Sequence, residues 1–325
     1  MPTYSYLFDQ PSALFERMLH NLEKVIVGKR DVIENVLVAL FCGGHVLLED
    51  VPGTGKTKLV RALAKIVDGS FKRIQCTPDL LPSDVTGVYI FNRQTSQFEF
   101  RPGPIMAHMV LADELNRTTP KTQAALLEAM EERAVTIDGT THTLPEPFML
   151  IATQNPIDHE GTYALPEAQS DRFLMRLKLG YPEKRYEVEM LSRLDEKDPI
   201  EQLKPVLLQE ELIALQKQVR RIHVDELLKE YIVQLAAATR GHKEVLLGAS
   251  PRACIALLRA AQGKAFVSGR SYCIPDDVKG MAVPVLAHRL ILSGEARMTG
   301  KQAETIVEQA LVSAAVPVLK QAAGK

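Results

Sequence analysis

Residues 50–57 read DVPGTGKT, and their spacing suits one chemistry, the cradling of phosphate groups. Phosphate oxygens need several backbone N–H donors converging on one point, and glycine lets the chain turn that tightly. Gly53 and Gly55 supply the turn, with Val51, Pro52 and Thr54 completing the loop. Lys56 is placed to reach the β- and γ-phosphates, and Thr57 to hold Mg²⁺ with its hydroxyl. The usual P-loop pattern has a further glycine five positions before Gly55, where this chain has Asp50. A second motif, HMVLADE at residues 108–114, is an apolar run ending in two carboxylates. Asp113 fits a ligand to Mg²⁺ through its water shell, and Glu114 a group that orients and activates the attacking water. Adjacent acids also end ordinary strands; the phosphate loop upstream makes the pair informative.

These residues need rigid elements behind them. HVLLE (residues 45–49) reads as a buried strand leading into the loop, and Leu59, Leu63 and Val67 mark the following helix, whose N-terminus adds its dipole to the phosphate site. FKRIQC (71–76), MVLAD (109–113) and FMLIAT (148–153) read as further strands, and helices are expected around residues 32–40 and from Pro120 onward. Alternation of this kind predicts an α/β fold, a parallel sheet sandwiched by helices. Residues 87–101 and 134–144 alternate around polar turns and read as β-hairpin insertions, the second with Asp138-Gly139 at a type I′ turn. After residue 180 the strand pattern stops. Leu212, Leu215, Val219 and Ile222 make one helix face, Leu227, Leu228, Tyr231 and Leu235 another, and Ser250-Pro251 starts a third helix. The expected division is an α/β core over residues 1–185 and a small all-helical domain over 186–325.

Composition narrows the function. The 325 residues are 46% apolar and 24% charged, with 39 basic against 40 acidic side chains and a net charge of −1. A dedicated duplex-DNA binder carries a basic excess, so no specific nucleic-acid partner is expected. No run approaches the 18 apolar residues of a membrane span, and the N-terminus lacks the pattern of a signal peptide, so a cytoplasmic protein without membrane insertion is expected. Cys42, Cys76, Cys254 and Cys273 are too far apart for a C-x-x-C site and read as buried thiols.

The string LLEDVPGTGKT, ADELNRTTPKTQAALLEAMEER, IATQNP, LPEAQSDRF and SPRA resembles the MoxR family of AAA+ ATPases along nearly the whole chain. The resemblance implies an AAA+ P-loop core with β-hairpin insertions and a helical lid, ATP as substrate, Mg²⁺ as cofactor, and a homo-oligomer, expected to be a hexameric ring. It implies that Asn155 is the sensor 1 residue beside the γ-phosphate, although an asparagine opening an Asn-Pro turn explains it equally without the family. Arg172 resembles an arginine finger reaching the neighbour's ATP, with Arg176 as its rival. Arg252 resembles sensor 2, a lid arginine on the γ-phosphate. Val27 and Gly28 resemble the wall that packs on adenine. Arg117 resembles an interface residue that either senses nucleotide or caps a helix. Phe91, Phe98 and Phe100 serve either a client or the hairpin's own packing. The implied role is chaperone-like maturation, activation or assembly of a partner, including von Willebrand factor A-domain proteins. A slow ATP-dependent switch or adaptor, a magnesium chelatase-like motor subunit and a nucleic-acid motor are the competing readings; a small-molecule kinase would leave finger and lid without purpose.

Overall fold

The structure, a computed structural model, describes residues 10–49, 53–155, 163–192 and 198–317. Its centre is a sheet of five parallel strands in the order β2-β5-β8-β1-β9. These are β1 (Val46–Glu49), β2 (Phe71–Gln75), β5 (Met109–Asp113), β8 (Met149–Gln154) and β9 (Met175–Leu177). Val46 stands opposite Ile151 on one side and Met175 on the other. Successive side chains leave opposite faces of a strand, so each buried strand feeds two cores. Val46, Leu48, Met109, Leu111 and Ile151 enter one core; Leu47, Val110, Ala112, Leu150 and Ala152 enter the other.

The first core is closed by α1 (Pro11–Glu23), α2 (Arg30–Cys42) and α3 (Lys56–Ile66). Helix α2 stops at Gly43, which takes the left-handed φ of 65° that returns the chain toward β1. The second core is closed by α5 (Pro120–Glu132), which buries Leu126, Leu127 and Met130. A five-residue helix α4 (Pro82–Thr86) precedes the first hairpin, β3 (Gly87–Asn92) with β4 (Gln97–Pro102); β6 (Ala134–Ile137) with β7 (Thr140–Thr143) forms the second. Asp138 and Gly139 both have positive φ, 49° and 81°, as a type I′ turn requires. The hairpins meet through aromatic packing: the Phe100 ring stacks on His142 at 3.9 Å, and Tyr89 Oη lies 3.1 Å from His142 Nε2. Phe91 and Phe98 pair edge-on at the exposed tip. Phe100 therefore serves hairpin packing, while the other two rings remain largely in solvent.

Two short helices, α6 (Glu167–Ser170) and α7 (Lys184–Ser192), flank β9, and α8 (Pro199–Gln202) follows. The C-terminal part is built from α9 (Gln209–Val219), α10 (Glu226–Arg240), α11 (Pro251–Val267), α12 (Pro275–Leu286), α13 (Gly294–Met298) and α14 (Ala303–Ser313). Ser250 caps α11 as expected, its hydroxyl accepting from the Ala253 N–H at 3.1 Å. Leu227 departs from the expected helix face: it is exposed in the first turn of α10, whose buried stripe is Leu228, Tyr231, Ile232 and Leu235. This region is helical except for one ribbon, in which β10 (Val245–Leu247) pairs antiparallel with β11 (Ile291–Leu292). Strands that short leave too little alternation to be read from sequence. Its helices share the first core with α1 and α2, so the apolar interior is continuous across both parts of the chain.

Candidate functional site

The phosphate loop leaves the C-terminal end of β1, where the strand order reverses: β8 lies on one side of β1 and β9 on the other. Open parallel sheets bind ligands in the crevice such a reversal creates. Gly53 and Gly55 have φ of 87° and 92°, backbone that L side chains rarely adopt, so both positions need glycine for the turn itself. Lys56 and Thr57 begin α3, which sends its free N–H groups toward the loop. Val51 and Pro52, expected in the cradle, lie outside the described residues, as does Asp50.

The acidic pair stands two strands away. Asp113 ends β5, and its Oδ1 accepts from Thr153 Oγ1 at 2.6 Å. Its Oδ2 accepts from Arg73 Nη2, also at 2.6 Å. That oxygen is ion-paired with Arg73, and α3, with Thr57 in its first turn, packs against β5, so the two expected Mg²⁺ ligands lie on adjoining elements. Glu114 turns out of the strand at φ 58°, a left-handed conformation costly to a residue with a side chain. Its N–H donates to Thr153 Oγ1 at 2.7 Å, while its carboxylate accepts from Gln75 Nε2 and Arg117 Nη1, each at 3.1 Å. Arg117, left open between nucleotide sensing and helix capping, is ion-paired with Glu114. Asn155 follows β8, and its carbonyl accepts from the buried Asn116 at 3.3 Å. Asp113, Glu114, Thr153 and Asn155 thus gather at one end of the sheet with the phosphate loop.

Beside that loop is a cavity of about 690 Å³ lined by Val25, Ile26, Val27, Gly53, Thr54 and Gly55, with Tyr181, Pro182, Met190 and Leu191 across it. Its walls are largely apolar, as a purine base requires. Gly28 has φ 74°, and a Cβ there would stand 2.2 Å from the Tyr186 ring. The close approach that demands glycine is therefore made by Tyr186 of α7.

Arg172 and Arg252 are somewhere else entirely. Both reach Glu131 at the end of α5, Arg172 through Nε at 3.0 Å and Arg252 through Nη2. They line a cleft of about 240 Å³ with Gly43, Gly44, His45, Asp171 and Arg289. Gly44 and His45 precede β1, and Leu174 N donates to His45 O at 2.9 Å, so this cleft sits at the N-terminal ends of the strands. The four residues of β1 separate it from the phosphate loop, about 13 Å of extended chain. Arg252, expected on the γ-phosphate, sits in this chain with Arg172, at the opposite end of β1 from the chain's own phosphate loop. Arg176, the rival finger, ion-pairs with Glu49 at 3.7 Å and Glu304 at 3.2 Å, joining β1 to α14.

Burial fixes the ionisation of the groups beneath the arginine cleft. His45 is pushed down to about 3 by desolvation and by the nearby Arg133 charge. It stays neutral, and its Nδ1 accepts from the Leu150 N–H at 2.9 Å. His288 is likewise held well below its ordinary value by burial, then by Arg289 and Arg176. Burial raises all four cysteine thiols, Cys42, Cys76 and Cys273 to about 12, which leaves them poor nucleophiles.

Sequence reasoning passed over Arg73, Gln75, Thr153, Glu131, Asp171 and Arg289. Only Arg73 and Gln75 left a signal, polar residues at alternate positions of a strand end and hence on one face. No helix among the described residues is long and apolar enough to cross a membrane, and none of their His, Cys, Asp and Glu side chains form a metal-binding group of three.

Comparison with known proteins agrees with this fold. Residues 45–175 match the ATPase family associated with various cellular activities, and residues 237–310 match the AAA lid domain. A Bacillus subtilis protein described as uncharacterized, YeaC, is 54% identical over 95% of this chain and 97% of its own. Chaperone MoxR1 of Mycobacterium tuberculosis is 42% identical over 93% of this chain and 82% of its own. The crystal structure of a candidate ATPase from Cytophaga hutchinsonii superposes with a TM-score of 0.90 at 39% identity, covering 97% of this chain and 98% of that one.

Proposed function

The chain belongs to the MoxR family of AAA+ ATPases, and from that premise we propose that it binds ATP with Mg²⁺, hydrolyses it at sites shared between subunits of a ring, and couples the cycle to remodelling a partner protein. The domains we assign are a nucleotide-binding core over residues 1–185 and a helical lid over 186–325.

Lys56 and the N–H groups of Gly53, Thr54 and Gly55 hold the phosphates, while Val27 lines the base cavity and Gly28, next to it, packs on Tyr186. Thr57 and Asp113 would hold Mg²⁺, which supplies charge neutralisation at the phosphate oxygens. Glu114 orients and deprotonates the attacking water, and Asn155 senses the γ-phosphate beside it. Gln75 and Arg117 hold the Glu114 carboxylate in place. Arg172 and Arg252 act on the neighbour's nucleotide. The observation that carries the shared-site reading is the length of β1, which keeps both arginines away from the chain's own phosphate loop. Two guanidinium groups against a dry γ-phosphate stabilise the charge that develops there, and a finger of this kind is worth roughly 10³–10⁵ in rate.

The partner we favour is a folded client matured or activated in the cytoplasm, with von Willebrand factor A-domain proteins the first to test; MoxR1, one relative, is named a chaperone. The exposed Phe91–Phe98 tip is a surface for it. The deciding measurement is ATPase rate against protein concentration for wild type, Glu114→Gln, Arg172→Ala and a mixture of the two variants. Cooperative rise of specific activity, loss in each variant and recovery in the mixture are expected. Activity linear in protein, with Arg172→Ala unimpaired, would identify a monomeric ATP switch instead.

A further inference from the structure

The segment that carries Arg172 has little structure of its own. It spans four residues between α6 and β9, and its local backbone hydrogen bonds among the described residues are Arg172 N to Gln169 O at 3.2 Å and Phe173 N to Ser170 O at 3.1 Å, before Leu174 joins His45. What fixes it comes from more than a hundred residues further on. Arg289, in the 3₁₀ turn Ala287–Arg289 after α12, is only 7% exposed. Its Nε donates to Asp171 Oδ1 at 2.6 Å, and its Nη2 donates to the carbonyls of Asp171 at 2.9 Å and Phe173 at 2.7 Å. Nη1 donates to Leu174 O at 3.3 Å and to Val285 O near the end of α12. The neighbouring His288, neutral and buried, adds Nε2 at 3.2 Å from Phe173 O.

A buried guanidinium is a costly way to join two segments, because its charge must be taken out of water and matched. An apolar pair would hold them as firmly. What the planar fork adds is direction. It grips the carbonyls of Asp171, Phe173 and Leu174 and leaves that of Arg172 out, so Arg172 stands between clamped residues with its side chain turned into the arginine cleft. Asp171 Oδ2 also accepts from Ser250 Oγ at 3.4 Å, and Ser250 caps the helix whose first turn holds Arg252. One aspartate thereby ties both cleft arginines to the same buried cation.

We propose that Arg289 is the positioning residue for Arg172: it sets the direction in which Arg172 leaves its own chain and couples that direction to the C-terminal helices, without touching nucleotide itself. The proposal rests on Arg172 acting on the neighbouring subunit's ATP. Loss of the fork displaces the finger but leaves the variant's own phosphate loop, Asp113 and Glu114 intact.

The test is subunit complementation with the full-length chain. Arg289→Met alone should lose roughly 100-fold in kcat, the cost of a misplacement near 1 Å, while its KM for ATP stays within about twofold. Mixed with Glu114→Gln, which keeps a working finger, it should recover turnover. Mixed with Arg172→Ala, which has none to lend, it should not. Recovery with Arg172→Ala would mean that Arg289 serves its own subunit's site, and recovery with neither would mean that it only holds the fold together; each overturns the proposal. Should Arg289→Met fail to fold, Asp171→Asn, which keeps an oxygen for Nε but drops the charge, goes through the same two mixtures with the same reading. The control mixture of Glu114→Gln with Arg172→Ala separates the two levels. If that pair does not recover, the shared-site reading fails and the Arg289 proposal falls with it; if it recovers, the Arg289 result stands or falls alone.

Discussion

The two ends of β1 are built on different principles. At the C-terminal end a phosphate site is assembled from contiguous chain, two glycines with positive φ and the first turn of α3, and its donors are backbone N–H groups. At the N-terminal end a cleft is assembled from side chains of separate segments, Glu131, Arg172, Arg252 and Arg289, held by ion pairs and charge-assisted hydrogen bonds. The first kind of site is set by local geometry. The second depends on how α5, the 171–174 segment, α11 and α12 sit against one another, so it can transmit their movement. On the proposed function a chain with both ends carries half of two sites, and a ring would complete each half.

The sharpest way to break this comparison is through Arg252. If it belongs to the cleft end, Arg252→Ala should lose about 10–100-fold in kcat, recover when mixed with Glu114→Gln and fail to recover with Arg172→Ala. The reverse pattern would return it to its own phosphate loop and dissolve the distinction between the ends. A smaller effect is expected at the phosphate end from Gly28→Ala. The left-handed backbone costs a side chain about 1 kcal/mol, and the new Cβ would displace Tyr186 from the wall next to the base cavity. KM for ATP should rise about fivefold, kcat should hold, and complementation should be unaffected; a fall in kcat at constant KM would remove Gly28 from the base wall.

The mildest probe is acid. His45 lines the cleft end and titrates near 3 when folded, against an ordinary 6.5. Below pH 6.5 the unfolded chain takes up a proton that the folded one refuses, so stability is complete above 6.5 and falls as pH drops toward 3. At pH 5 His45 alone removes about 2 kcal/mol, and His288 acts in the same direction. Urea midpoints should fall between pH 7.5 and 5, and hydrogen exchange should loosen residues 171–174 before α3. Simultaneous loosening of both ends would show that they share one cooperative unit.

The phosphate loop, the acidic pair, the sheet with its covering helices and the cap at Ser250 were all legible in the sequence. Each is specified by neighbours within a few residues: a glycine where φ must be positive, an apolar alternation ending in carboxylates, a serine before proline. The family resemblance named Arg172 and Arg252 but could not say on which side of the sheet they stand. Nothing local marks Arg73 as the partner of Asp113, Gln75 as the partner of Glu114, or Glu131 as the anchor of two arginines from different segments. Those pairings arise because the strand order sets β2 beside β5, and because α11 and α12 pack back against the core near β9. What the sequence by itself determined was the local geometry of the phosphate loop and of the strand that ends in the acidic pair, since turn geometry and periodicity are short-range. Only the tertiary structure decided which half faces which end of the sheet, because a buried guanidinium such as Arg289 finds its carbonyls across more than a hundred residues of chain, by packing alone.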